Sequence, residues 1–367
     1  MFYLILYFII LTIGVFCFRN DRIMNIGVSE THQTKRLEVR LFLFLCWFLL
    51  SFIAAMRGDE VGIDTQSYIA IYERFSKGLS VNEVSSFATT IEHGYLVFSR
   101  IIISIFKSRF FFFFINSGII YGCYLFFIKK NSNDLIISTL LFISLYYTST
   151  FNVMRQYLSI GIILVSIEAI KEKKYFPTLI LIALAIIIHH SSIMLILGVL
   201  LYLLPNKSKN IILYESLIIC FLCVIRIPRI FEYLIQLLNY NRLLNGVHFK
   251  ASDSNGIMAL VYLLVVILGI VVCLRNSSND TEEDEIFAYY LINTSIGTGF
   301  AFLAGNNEMF ARAGAGYISF IIILFPFLVT RIFKDQKSLC LAKVLIIAFL
   351  CFAMYINGRS YQYYSYI

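Results

Sequence analysis

Apolar runs of about 20 residues recur from one end of this chain to the other, which is the length a helix needs to cross the hydrocarbon core of a bilayer. The sequence is 59% hydrophobic and only 14% charged, against roughly 25% charge in a soluble domain. The fold class expected is therefore an all-α, polytopic integral membrane bundle of about 12 transmembrane helices. The spans fall at 2–18, 41–56, 110–128, 134–150, 153–170, 175–189, 190–204, 211–225, 257–274, 286–304, 314–333 and 339–356. No hydrophilic stretch is long enough for a separate soluble domain, so residues 1–367 read as a single membrane domain.

Three stretches constrain the count. Residues 94–109 are apolar but short, and Arg100, Lys107 and Arg109 interrupt them, which predicts an interfacial or re-entrant helix. Residues 175–204 are long for one helix and short for two. Lysines flank both ends, so the chain must return to the side it left, with His189 and His190 at the tip. Residues 2–18 lack a basic leader and a small-residue cleavage site, and read as an uncleaved helix. The eight cysteines lie almost entirely inside apolar runs. Even the Cys220–Cys223 pair has no partner pair beside it, so packing is expected and no metal or cofactor is.

Basic residues in short loops orient such a chain with the positive loops inside. Arg19, Arg22, Lys35, Arg36 and Arg40 place the 19–40 loop inside. Lys129, Lys130, Lys171, Lys173, Lys174, Lys207, Lys209, Lys334 and Lys337 then fall on the same side. The arginines do not follow the lysines: Arg57, Arg74, Arg100, Arg109, Arg155, Arg226, Arg229, Arg242 and Arg312 all fall outside. Arginine is a forked, permanently charged donor suited to phosphate and carboxylate oxygens. Two long outer segments, 57–109 and 226–256, carry most of these arginines. In the second, Arg226, Arg229, Arg242, His248 and Lys250 are interleaved with aromatic residues. Tyr361, Tyr363, Tyr364 and Tyr366 read as an interfacial belt.

Four polar clusters need a reason. Arg57 follows the second span with Asp59, Glu60 and Asp64 within seven residues, and Gly58 and Gly62 allow a tight turn. Asn152, Arg155 and Gln156 open an apolar helix, where a buried Arg costs about 2.5–3.5 kcal/mol unless it snorkels. His189, His190, Ser191 and Ser192 break an apolar run, in a pattern suited to proton transfer. Arg312 precedes Ala313, Gly314, Ala315 and Gly316, small residues that permit close helix packing and leave room beside the guanidinium. A solvated loop, a snorkelling arginine, a packing knot and a local ion pair are the plain alternatives for the four.

The sequence resembles the EpsG family and the related Wzy-type O-antigen and capsule polymerases. The resemblance is carried by Arg57, Val61, Gly62, Ile63, Asp64, Thr65 and Tyr68, by Glu92, His93, Gly94 and Tyr95, by Asn152, Arg155 and Gln156, and by Ile188, His189, His190, Ser191 and Ser192. It covers roughly residues 40–205. Beyond that the likeness is one of hydrophobic spans, with Arg312 at a plausible family position.

The resemblance implies a glycosyltransferase of the bacterial inner membrane. It joins oligosaccharide repeat units carried on undecaprenyl pyrophosphate, at the periplasmic face, and releases undecaprenyl pyrophosphate. Its partners are a lipid-linked donor, a lipid-linked acceptor and membrane lipid; a chain-length regulator is an expected protein partner, and nucleic acid is not. In that chemistry Arg57, Arg155 and Arg312 offset the charge that builds on the pyrophosphate. Gln156, Glu92 and Tyr68 contact substrate, and Asp64, His189 and His190 are the candidates for the base that takes the acceptor's proton. Two other activities compete. A lipid-linked glycan flippase should show internal repeats and short loops on both sides, and a membrane O-acyltransferase should present its histidine toward a cytoplasmic acyl donor.

Overall fold

A computed structural model describes residues 2–18, 32–204, 206–224, 255–275, 282–304 and 308–359. Residues 226–254 of the second outer segment, the 19–31 part of the first basic loop and the tyrosines after 360 lie outside these residues. The chain divides into two compact units, residues 1–190 with 337–367, and residues 191–336. Among the described residues the regular structure is helical throughout.

In the first unit α1 (Phe2–Cys17) precedes α2 (His32–Ala55). Three shorter helices follow, α3 (Thr65–Ser76), α4 (Val81–Phe87) and α5 (His93–Phe106). The long α6 (Arg109–Asn131) leads to α7 (Leu135–Phe142), which runs through a π turn at Ile143–Tyr147 into the single turn α8 (Ser149–Asn152). Val153 breaks the helical path before α9 (Met154–Lys171), and α10 (Tyr175–Ile188) completes the run. A 3₁₀ stretch at His190–Leu195 leads into the second unit, which holds α11 (Ile196–Leu200), α12 (Asn206–Val224), α13 (Asn255–Arg275), α14 (Glu282–Leu303), α15 (Glu308–Ile318) and α16 (Ile321–Ile332). The last helix, α17 (Gln336–Arg359), packs with the first unit: Tyr7 donates to the Ile347 carbonyl.

Among the described residues five helices are long and apolar enough to span a membrane, and six if the bent pair α15–α16, with its 49° break, counts as one span. They coincide with the spans expected at 41–56, 110–128, 257–274, 286–304, 314–333 and 339–356. The expected count of twelve is not confirmed among the described residues. The 2–18, 134–150, 175–189, 190–204 and 211–225 runs hold shorter apolar helices. The 153–170 run forms α9, which carries Arg155, Glu168 and Lys171. At the start of α2 the helix reaches back to His32, into what reads as loop. Large apolar side chains stay exposed along α2 (Phe44, Phe48, Phe52) and α17 (Leu341, Val344, Leu345, Phe349), as a lipid-facing surface requires.

Close packing in the first unit rests on small residues. Trp47 of α2 donates to the Gly118 carbonyl of α6 at 2.8 Å, and a Cβ on Gly161 of α9 would come within 2.9 Å of Cys123 on α6. Helices α6 and α9 run side by side in the same direction. At their ends Asn131 holds Glu168 and Lys171. The same end gathers the ion pairs Lys130–Glu172, Lys174–Glu172 and Lys343–Asp134. Lys130, Lys171 and Lys174, assigned to one side of the bilayer, therefore share one end of this unit. Arg109 and Arg155 open α6 and α9 at the opposite end, with 18 residues or about 27 Å of α9 between. Glu92 before α5 is paired with Arg155, and Arg109 follows α5 after two residues, so both ends of α5 lie at the arginine end.

Candidate functional site

Three residues from distant parts of the sequence meet at the arginine end. Glu92 is the N-cap of α5, Arg155 lies in the first turn of α9, and His189 follows the last residue of α10 in extended conformation. One carboxylate oxygen of Glu92 pairs with Arg155 Nη1, and the other is 2.7 Å from His189 Nδ1. Arg155 Nη1 also donates to the Thr90 carbonyl at 3.3 Å. The Glu92 side chain is 10% exposed, Arg155 17% and His189 15%. The group is therefore shielded enough for charge to act strongly, yet not sealed.

Gly94 brings the three together. A Cβ there would fall inside the van der Waals envelope of Ile187 Cγ2 and its carbonyl oxygen, and 3.0 Å from its carbonyl carbon. Only a glycine lets the start of α5 press on the end of α10, two residues before His189. The sequence showed the Glu-His-Gly-Tyr motif but not that its glycine is a helix contact.

Burial alone would raise the Glu92 carboxyl. The hydrogen bond from His189 and the charges of Arg155 and His189 outweigh it and bring the group down to about 2. A carboxylate held that low is an anion throughout the working range and a poor proton acceptor. It fixes the His189 ring instead: in the neutral imidazole, Nδ1–H donates to Glu92 and the lone pair sits on Nε2. His189 Nε2 and Arg155 Nε are both buried without a hydrogen-bond partner among the described residues. This pair of orphaned atoms, an acceptor and a donor beside one carboxylate, is a feature expected of a reactive site.

The remaining candidates divide. Tyr68 is buried, and its hydroxyl accepts from the Arg155 backbone N–H at 3.5 Å. Burial pushes its phenol up, Arg155 lowers it, and Asp64 is near enough to add to the rise. Asp64 is half-buried at the N-cap of α3, with no side-chain cap hydrogen bond. Gln156 is buried beside Arg155 in the first turn of α9. His190 is exposed, unlike His189. Arg312 lies in α15 of the second unit and is partly exposed. Arg57 is 1% exposed, and the ion pair of its loop is made elsewhere, between Asp59 and Arg109. Asn152 holds that loop in place. Its Oδ1 accepts from Ile63 N at 2.6 Å, and Gly62, at φ +93°, leaves no room for a side chain against it.

Neither the curated proteins nor the solved structures compared with the chain give a match. The family comparison does, over residues 40–367, and so reaches well beyond residue 205, where the motifs visible in the sequence end. A match over that much of the chain, together with four motifs that the fold gathers largely at one end of one helical unit, means that the chain belongs to the EpsG family, a Wzy-type polymerase-like family.

Proposed function

We propose that this protein is a polysaccharide polymerase of the bacterial inner membrane, acting at the periplasmic face on oligosaccharide repeat units linked to undecaprenyl pyrophosphate. Family membership supports a lipid-linked sugar substrate. The observation that carries the chemistry is the Arg155–Glu92–His189 group, set at the end of the first unit opposite the lysine clusters.

In this reading the C1–O bond between the growing glycan and the donor diphosphate breaks while a new bond forms from C1 to a hydroxyl of the acceptor unit. Negative charge builds on the leaving diphosphate, and Arg155 offsets it through its charge and through Nε, which has no partner among the described residues. His189 Nε2 takes the acceptor's proton. Glu92 holds the ring by Nδ1 and stabilises the imidazolium that results. Asp64 and the exposed His190 are less well placed than His189, which shares the Glu92 carboxylate with Arg155. Tyr68 and Gln156 shape the surroundings of Arg155.

The class is tested by the surface-glycan ladder of a strain lacking the protein. Polymer reduced to a single repeat unit, restored by the wild-type gene but not by Arg155→Lys at equal protein level, is the expected result. A ladder of normal length in the deletion strain contradicts the proposal, and so does loss of even the single unit, which indicates a flippase. The Arg312→Lys strain decides the part of that residue in the same assay. Sidedness has its own test, in a cysteine-free background: Lys77→Cys should react with an impermeant thiol reagent added from outside, and Lys173→Cys should not. The reverse pattern places the site in the cytoplasm.

A further inference from the structure

Arg57 is one of the three arginines that the family resemblance sets against the pyrophosphate, yet its surroundings leave a phosphate little to do. The side chain is almost completely buried. Nη1 donates to the Ala54 carbonyl at 2.8 Å, Nε to Thr65 Oγ1 at 3.3 Å, and Nη2 lies 3.9 Å from Met154 Sδ. The guanidinium carbon stands 4.1 Å from the centre of the Phe113 ring and 5.2 Å from that of Phe151. Tyr68, Tyr95, Tyr121 and Tyr147 are near enough to act on its charge. Dipoles and ring faces balance its charge. Ala54 is the last-turn carbonyl of α2, so the cation sits at the negative end of that helix dipole. Two desolvated ring faces add about 2 kcal/mol or more each.

These contacts have one structural consequence. Phe151 and Met154 flank the Asn152–Val153 break from which α9 starts, and Arg57 touches both. The next residue after Met154 is Arg155. Thr65, its third contact, opens α3, three residues before Tyr68. We infer that Arg57 is a positioning residue: it locks the α8–α9 break and the start of α3 so that Arg155 is aimed at the donor diphosphate, and it does not itself touch substrate. The inference rests on the reading of Arg155 given above.

Two measurements on the purified full-length protein test it. In the first, the Arg57→Cys and Arg155→Cys variants, each in a cysteine-free background, are treated with a small cationic thiol reagent. The thiol of the Arg155→Cys variant should react. That of the Arg57→Cys variant should react at least about tenfold more slowly, as a buried thiol does. Comparable labelling of the two variants overturns the inference, and this holds whatever reaction the protein catalyses.

The second is a double-mutant cycle in kcat/KM, scaled to folded protein. Arg57→Lys should lower the wild-type value by about 10–100-fold, and add less than about twofold to the loss already caused by Arg155→Lys. Equal losses in the two backgrounds mean that Arg57 acts independently, by direct contact or by general destabilisation, and overturn the inference. Absence of any transfer by the wild type counts against the polymerase reading instead, and leaves the labelling result to decide the place of Arg57.

Discussion

Replacing Glu92 by Gln should lower kcat about 10²–10⁴-fold, the range a positioned general base supplies, while leaving the KM for the lipid-linked donor within a few-fold of wild type. The carboxylate holds two groups at once, Arg155 on one oxygen and His189 on the other. An amide keeps the size but loses the charge, and no longer selects the tautomer with Nδ1–H toward residue 92. The ring can then turn, and the imidazolium formed on proton transfer has no anion beside it. Arg155 keeps its guanidinium and the Thr90 contact, so the diphosphate is still met. Steady-state kinetics with the purified variant separates the two effects. A fall in folded protein with unchanged kcat reduces Glu92 to a structural ion pair. A raised KM with normal kcat makes it a substrate contact.

The second large effect is expected from a single methyl group. Gly94→Ala puts a Cβ against the Ile187 carbonyl and side chain, where no real Cβ sits. Both neighbours belong to helices, so the contact can be relieved only by moving the start of α5 away from the end of α10. The overpacking costs about 1–3 kcal/mol or more, and the same movement draws Glu92 away from His189. Loss of polymer and a lower melting temperature should therefore appear together. Gly122→Ala is the control: its Cβ would meet Trp47 at 3.5 Å, an ordinary contact, and both stability and activity should stay close to wild type. If Gly94→Ala behaves as Gly122→Ala does, the α5–α10 contact is not what assembles the site.

Much of this was legible in the sequence, for reasons that particular residues make plain. Apolar length showed the helical membrane class, and the lysines showed which loops share an end, because Lys130, Lys171 and Lys174 do meet there through Glu168, Glu172 and Asn131. The Glu92, Arg155 and His189 positions were visible as motifs. Their pairing was not, since it depends on how α5, α9 and α10 pack, and no local spacing encodes that. The count of about twelve spans is not confirmed, because short apolar helices such as Tyr175–Ile188 and a kinked run such as Leu135–Tyr147 have the composition of a crossing but are shorter than a full span. Arg57 stood out as a charge beside the membrane. That it caps α2 and lies between two phenyl rings needed Phe113 and Phe151, which are 56 and 94 residues away in sequence.

The most direct test of the central claim uses the purified protein in lipid nanodiscs, supplied only with undecaprenyl-pyrophosphate-linked repeat units. The wild type should build a ladder of glycans and release one undecaprenyl pyrophosphate for each linkage formed, and the His189→Gln protein, equally folded, should do neither. No ladder from folded wild-type protein, or a normal ladder from His189→Gln, would contradict the account.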